Sequence, residues 1–590
     1  MKKRFFSLLI IPALLLCSCD FLLSKKTIEQ EIQVYDIDKL DKDGNLSSGY
    51  QTTVNARFIQ GQNYTPYLTL GQYASLYEAH LSESAESKVE KSAFSTSWTI
   101  SKDEEMYFYT EINYLTSEIV LVGSLEATYK SNDDPRDLAA LEYGMKNGAD
   151  GKYLSDKTYA TFSYGGYGIS HFSYNGEHYF PLGLLDITYS DNSAIYFTYN
   201  YTHIISTRDV DNYASLIYTD NGQEYTFDTQ MAKGKTSDSM PTYLKELNAC
   251  LFLYLMDNFY GLKDAKGINS MTRYYKNNGI YNSLFTTFPS ERGQGYSDAL
   301  SILDDNHTAL VSVNETWGED GYYETRRYGE GVARRNRTRV ALREYRKKAY
   351  EDYEGDVKEG VDVLYSQDGK TALFSFDAFH FGASNDVFNN DGSIKETAKD
   401  YDTYFKIIDV LETIKAKGGV ENVIFDISQN GGGVVGVMMK LLALVSKDNN
   451  GDISFYDDTT TQVVWYSAQV DRNNDGKYNA EDCYGNDFNF YFLTSDCSFS
   501  CGNAFPCMAQ LKKTAKIIGQ KSGGGECAVA IHYLPNSQYV YHSSNLHLGY
   551  YNEDDDTFTG FEGGASPDIE LSIDSNFYAI ESLNNAIKNA

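Results

Sequence analysis

The chain has 590 residues, too many for one core, so about two to four domains are expected. A hydrophobic content of 42% is enough for a large buried interior. The formal charge of −31, from 51 basic against 82 acidic residues, argues against nucleic acid or an anionic membrane surface as partner. The 51 tyrosines point to β-rich structure with exposed aromatic side chains.

Met1-Lys2-Lys3-Arg4 is a basic start, Phe5 to Leu16 is apolar, and Leu16-Cys17-Ser18-Cys19 follows. This resembles a bacterial lipoprotein signal over residues 1–18, cleaved after Ser18, with diacylglyceryl on Cys19. The apolar run is too short for a spanning helix, which needs about 20 residues. Lipid on Cys19 would bind by burying methylenes, roughly 0.8 kcal/mol each. The expectation is an exported, extracytoplasmic protein of a bacterial cell envelope, anchored to the membrane through Cys19, with residues 19–30 as a polar tether. Six cysteines remain: Cys250, Cys483, Cys497, Cys501, Cys507 and Cys527. Outside the cytosol an even count permits disulfides of unreadable connectivity, and no paired Cys-x-x-Cys pattern points to zinc.

Residues 31–235 alternate in short runs such as Gln51–Phe58 and Ser193–Tyr199, which read as strands of a β-rich region. Two phrases, Tyr64–Leu70 and Tyr179–Leu185, are alike in placing Pro and Leu after aromatics. Two related modules and chance similarity both account for this. Residues 236–360 read as helical, with Leu244, Leu247, Leu251, Tyr254 and Phe259 near helical spacing. A basic island follows between residues 322 and 353, from Arg326 to Lys348. It is either a solvated helix paired with neighbouring acids or a lid or docking surface for acidic peptide.

From 361 to the end, strands and helices alternate, as in an α/β domain with βα crossovers. Lys370–Phe376 and Val423–Ile427 read as strands, and Tyr401–Lys417 as a helix stopped at Gly418-Gly419. Asp426-Ile427-Ser428-Gln429-Asn430-Gly431-Gly432-Gly433 is a glycine loop after a buried strand. It could cradle an anion or form an oxyanion hole, and it lacks the pattern of a nucleotide-binding loop. The strand Phe490–Thr494 then leads into Cys497-Ser498-Phe499-Ser500-Cys501-Gly502-Asn503, a small-residue turn before a helix. A serine at a helix N-terminus has unpaired N–H groups beside it that favour a developing anion, although serines also cap helices without function.

These motifs, with Gly523-Gly524-Gly525 and Gly563-Gly564-Ala565-Ser566-Pro567-Asp568, resemble the tail-specific, or C-terminal processing, serine peptidases. The resemblance implies a crotonase-like (ClpP/crotonase) α/β catalytic domain over 361–590 and a peptide or protein substrate. It also implies an acyl-serine intermediate on Ser500, with no catalytic cofactor. Many relatives use a Ser-Lys dyad, but Gly525 stands about where that lysine falls and Lys521 comes early. Leu303-Asp304-Asp305-Asn306-His307-Thr308 instead resembles the tricorn-type and retinoid-binding-protein-like branch, which implies His307 as general base. Glu562 is the candidate to orient it, and the backbone N–H of Gly431 or Gly432 with that of Cys501 would form the oxyanion hole. Asn503 stands where relatives often have Glu. The alternative is a catalytically inactive member acting as a cell-surface peptide- or ligand-binding lipoprotein.

Residues 471–482 resemble a calcium loop. Oxygen donors fall at Asp471, Asn473 and Asp475, Gly476 supplies the sharp turn, and Lys477, Asn479 and Asp482 take positions seven, nine and twelve. A structural Ca²⁺ is the expectation, with an acidic Asn/Asp turn as the alternative.

Overall fold

A computed structural model describes residues 26–36, 51–82, 84–102, 105–123, 143–154, 159–193, 195–207, 217–220, 223–226, 239–312, 329–353, 362–536 and 538–590. The signal segment with Cys19, and Arg326 and Arg327 of the basic island, lie outside these residues. The chain is a mixed α/β protein with several sheets. No helix among the described residues is long and apolar enough to cross a membrane.

The C-terminal part is built on a six-stranded sheet. Its order is Leu364–Tyr365, Thr371–Ser375, Asn422–Asp426, Asn489–Thr494, Ala515–Gly519, Ile569–Glu570. All its pairings but the first are parallel. The middle strands are near-continuous apolar runs because both faces are covered. Three helices supply the connections. Thr403–Lys417 is started by Asp402, whose carboxylate accepts the Tyr404 N–H at 2.8 Å, and it stops at Gly418, φ +73°. Val435–Val445 follows the glycine loop, and Cys501–Lys512 follows the small-residue turn. Phe505 of the last helix stacks on Phe492 of the central strand at 4.4 Å, which locks helix to sheet. The last helix ends at Lys512, and Lys516 belongs to the next strand.

A second, antiparallel seven-stranded sheet is assembled from distant parts of the chain. Its longest strand, Gln538–Asn552, pairs with Cys527–Tyr533, Ile453–Asp457, Thr557–Gly560 and Ala309–Ser312. The strand Met145–Tyr153 joins along Gln462–Val470. Residues from all three expected regions therefore share one sheet. One buried cluster likewise runs from Ile32 through the helix Thr242–Phe259 to Leu534 and Val540. The two similar phrases of the N-terminal half pair with each other: Leu68 faces Phe180 and Tyr67 faces Pro181. Each leads straight into a helix, Leu70–Tyr77 and Leu182–Ser193. None of the six remaining cysteines is in a disulfide.

Candidate active site

Ser500 sits between the strand Asn489–Thr494 and the helix Cys501–Lys512 with φ 57° and ψ −127°. A non-glycine residue there is strained, and a tight contact explains it. A Cβ on Gly432 would stand 2.7 Å from Ser500 Cβ and 3.0 Å from its Oγ, so the glycine loop packs directly on the serine. The turn is held from the other side by Gly524, whose carbonyl accepts the Ser500 N–H at 3.0 Å, and by Ser498, whose carbonyl accepts the Gly523 N–H at 2.8 Å. Ser500 is half-buried, and its hydroxyl makes no hydrogen bond among the described residues. Ser498 differs: it is fully buried, donates to the Ile427 carbonyl at 2.8 Å and accepts from the Ser495 N–H at 3.1 Å. Its hydroxyl is committed to the fold.

His307 comes to this turn through strand pairing. Ala309 faces Tyr541, which draws the preceding loop onto the second sheet. The imidazole then packs edge-on against Phe499, ring centroids 4.7 Å apart, beside the serine. Its Nδ1 lies 3.5 Å from Ser543 Oγ, and that hydroxyl donates to Asp305 Oδ2 at 2.8 Å. With its proton given to Asp305, Ser543 can only accept from Nδ1–H, which leaves Nε2 with a lone pair. Burial pushes the imidazole below its ordinary pKa, partly opposed by Asp305.

The groups bonded in a chain to the His307 ring are thus Ser543 and Asp305, not Glu562. The Glu562 carboxylate accepts the N–H groups of Gly525 at 2.8 Å and Glu526 at 3.2 Å. Its pKa is raised, chiefly by burial. It braces the glycine turn that holds Ser500 and makes no bond to His307. Asp305 was visible in the sequence motif, two residues before the histidine. Ser543 carried no local signal, because only the sheet register brings it there.

The candidate oxyanion donors are partly engaged. Gly431 N–H donates to the Asp377 carbonyl at 3.2 Å and Gly432 N–H to Asn430 Oδ1 at 2.9 Å, so neither is free in this conformation. Cys501 is the first residue of its helix, where an N–H has no intrahelical partner.

Both departures from the expected peptidase pattern have physical reasons. Gly525 has φ +83°, and a Cβ there would stand 2.4 Å from the Phe499 ring, so no lysine fits. Lys521 is exposed. Asn503 is fully buried, donates to the Phe561 carbonyl at 2.9 Å and accepts from Ser522 Oγ at 2.7 Å. A carboxylate could not make the first of these bonds.

The basic island is the helix Glu330–Glu351, and it crosses the site. Asp304 caps it, accepting the N–H groups of Gly331 at 2.8 Å and Val332 at 2.7 Å, and so ties it to the His307 loop. The Arg335 guanidinium lies 5.5 Å over the Phe499 ring, and Arg339 Nη2 lies 3.9 Å from where a Gly431 Cβ would stand. Farther along, Arg346 pairs with fully buried Asp426 and with Asp377, both at 2.8 Å. The helix is therefore neither wholly solvated nor wholly a docking surface.

In the 471–482 loop, Asp471 accepts the N–H groups of Asp475 at 3.1 Å and Gly476 at 2.9 Å. Gly476 has φ +77°. Asn473 accepts the Asp475 N–H at 2.9 Å, Asp482 accepts those of Arg472 and Asn479, and the Lys477 ammonium sits 2.9 Å from Asp475.

Residues 391–571 match the model of peptidase family S41. A search of curated proteins returns no match. Among solved structures, a putative peptidase from Parabacteroides merdae is 16% identical with a TM-score of 0.40, over 59% of this chain and 96% of that one. A lipoprotein from Streptococcus agalactiae is 11% identical with a TM-score of 0.33, over 60% and 98%. The tricorn protease is 11% identical with a TM-score of 0.31, over 93% and 58%.

Proposed function

We propose that this chain, whose residues 391–571 match peptidase family S41, is a serine endopeptidase with a crotonase-like catalytic fold, exported and lipid-anchored at Cys19. The observation that carries the reading is the strained Ser500 at a helix N-terminus, its hydroxyl without a hydrogen bond among the described residues, with the His307 ring packed on the adjacent residue. His307 Nε2 takes the Ser500 proton as Oγ attacks the peptide carbonyl, and the Nδ1–H···Ser543···Asp305 chain steadies the imidazolium. Cys501 N–H faces the developing oxyanion, and Gly432 N–H joins it on leaving Asn430. The proton then passes from His307 to the leaving amine, and water hydrolyses the acyl-serine by the same base.

A fluorophosphonate probe tests this. The adduct is expected on Ser500 by peptide mass spectrometry and absent from Ser500→Ala. His307→Ala should lower kcat/KM by about a hundredfold or more, the usual scale for losing a general base, while Lys521→Ala has little effect. An adduct on Ser498 sinks the assignment. No adduct in a folded chain leaves the non-catalytic, ligand-binding reading.

The basic helix suggests which peptides fit. Arg335 and Arg339 flank the nucleophile turn and the glycine loop, so a carboxylate on the substrate has a natural place. The 471–482 loop is proposed to hold a structural Ca²⁺ through Asp471, Asn473, Asp475, Asn479, Asp482 and the Lys477 carbonyl. Its nested turns around Gly476 fit such a ligand set. Millimolar calcium should raise Tm over chelator, as mass action requires of an ion that binds the folded state. Asp471→Ala/Asp475→Ala should abolish that difference, and an equal rise in the double variant would reduce the loop to an acidic turn.

A further inference from the structure

We propose that Glu526, Cys527 and His547 form a binding site for a borderline divalent cation of the zinc type, which braces the turn holding Ser500. One donor atom from each lies within 4.8 Å of the others, and the three residues are 8%, 1% and 8% exposed. Cys527 and His547 are direct register partners on neighbouring antiparallel strands, so their side chains share one face of the sheet. No sequence spacing announces such a pair, which explains why the cysteines show no zinc pattern.

The geometry suits the ion. Metal–ligand bonds of about 2.0–2.3 Å in a tetrahedron put donor atoms roughly 3.3–3.7 Å apart. Cys527 Sγ and His547 Nδ1 are already 3.6 Å apart. His547 Nδ1 and Glu526 Oε1 are 2.8 Å apart, a hydrogen bond whose proton the ion would replace. On the far side of the ring, His547 Nε2 lies 2.9 Å from Asp458 Oδ2. That is the outer carboxylate which usually fixes the ring of a metal-bound histidine. The Asp458 side chain is 41% exposed and offers a way in from solvent.

Charge points the same way. Glu526 and the more exposed Asp458 flank the imidazole, and Glu562 and Asp305 stand close by, so four carboxylates surround one imidazole, with the Lys263 ammonium near Asp458 on the outer side. Thiolate, imidazole and carboxylate together select a borderline ion over calcium. Binding is balanced by loss of two protons, one from Cys527 Sγ–H and one from His547 Nδ1–H, with no redox change.

The site also touches the catalytic turn. Glu526 accepts the Glu562 N–H at 2.5 Å, and Glu562 in return accepts the N–H groups of Gly525 and Glu526. The next residue back, Gly524, holds the Ser500 N–H. An ion on Glu526 would therefore stiffen the support of the nucleophile without meeting substrate.

The test uses the full chain, stripped by chelator and titrated with zinc in equilibrium dialysis and with cobalt(II) in absorption. One ion per chain is expected, with a thiolate-to-cobalt charge-transfer band and the strong visible bands of a four-coordinate ion. Cys527→Ser should remove the charge-transfer band, and His547→Gln should weaken zinc at least tenfold. Absence of the charge-transfer band in the unaltered chain overturns the site by itself, whatever the variants do. Zinc binding unchanged in His547→Gln likewise overturns it and leaves an imidazole between two carboxylates. Fluorophosphonate labelling of the stripped chain reports separately on Ser500, so failure of the ion site and failure of the peptidase reading are distinguishable.

Discussion

At the scale of single residues, the proposed mechanism depends on which proton His307 keeps. Ser543 and Asp305 hold Nδ1–H, and burial keeps the ring neutral at ordinary pH. A base must be unprotonated to act, so activity is lost as pH falls through its pKa. Because burial moves that pKa below about 6.5, the acid limb of kcat/KM is expected on the acid side of that value. Ser543→Ala removes the acceptor for Nδ1–H and frees the other tautomer. It should cut kcat by at least about tenfold, a modest share of what general base catalysis supplies, with little change in KM. A limb above neutrality, or an unaffected Ser543→Ala, would show that another group takes the proton. Gly525 makes the complementary point. Its φ of +83° and the Phe499 ring 2.4 Å from any Cβ leave no space at this position for the lysine of a dyad, which favours the proposed histidine route.

Single helices and strands decide what a substrate would meet on its way to that serine. On the helix Glu330–Glu351, arginines a few turns apart do different work. Arg346 neutralises buried Asp426, and truncating it leaves that charge unpaired, a loss of about 3–5 kcal/mol. Arg335 and Arg339 face the site and pair with no buried acid among the described residues. Arg335→Ala/Arg339→Ala should keep Tm within a few degrees yet raise KM several-fold for peptides with carboxylates near the cleaved bond. Neutral peptides should be unaffected; an equal rise for both would assign the pair to packing. Elements of this kind were unevenly legible in the sequence. Strands such as Asn422–Asp426 and Asn489–Thr494 announced themselves as apolar runs, and the glycine loop and serine turn followed from local chemistry. The path of the basic helix over the site was not legible, because it rests on an Asp304 cap and an Asp426 pair distant in sequence. That Ser543 rather than Glu562 contacts His307 is illegible for the same reason: Ser543 reaches His307 only through the Ala309–Tyr541 register.

The whole molecule is less divisible than its sequence suggests. A catalytic domain over 361–590 reads as a unit, and the peptidase match lies within it. Yet the sheet carrying Ser543 and His547 takes Ala309–Ser312 from one upstream region and Met145–Tyr153 from another. Leu534 and Val540 are buried in a cluster built mainly from residues before 304. Cutting at 361 would strip His307, the proposed base, open a long strand edge and expose that apolar face, and such edges aggregate. A fragment of residues 361–590 is therefore expected to be poorly soluble or to label with fluorophosphonate far below the full chain. Supplying residues 26–353 in the same cell should restore labelling in part, since the shared core gives the two pieces a large surface on which to join. The measurement is adduct yield on Ser500 per folded chain, with folding followed by near-UV circular dichroism. A fragment that folds alone and labels like the full chain would show that the upstream regions only decorate the enzyme, and that a base inside 361–590 serves Ser500.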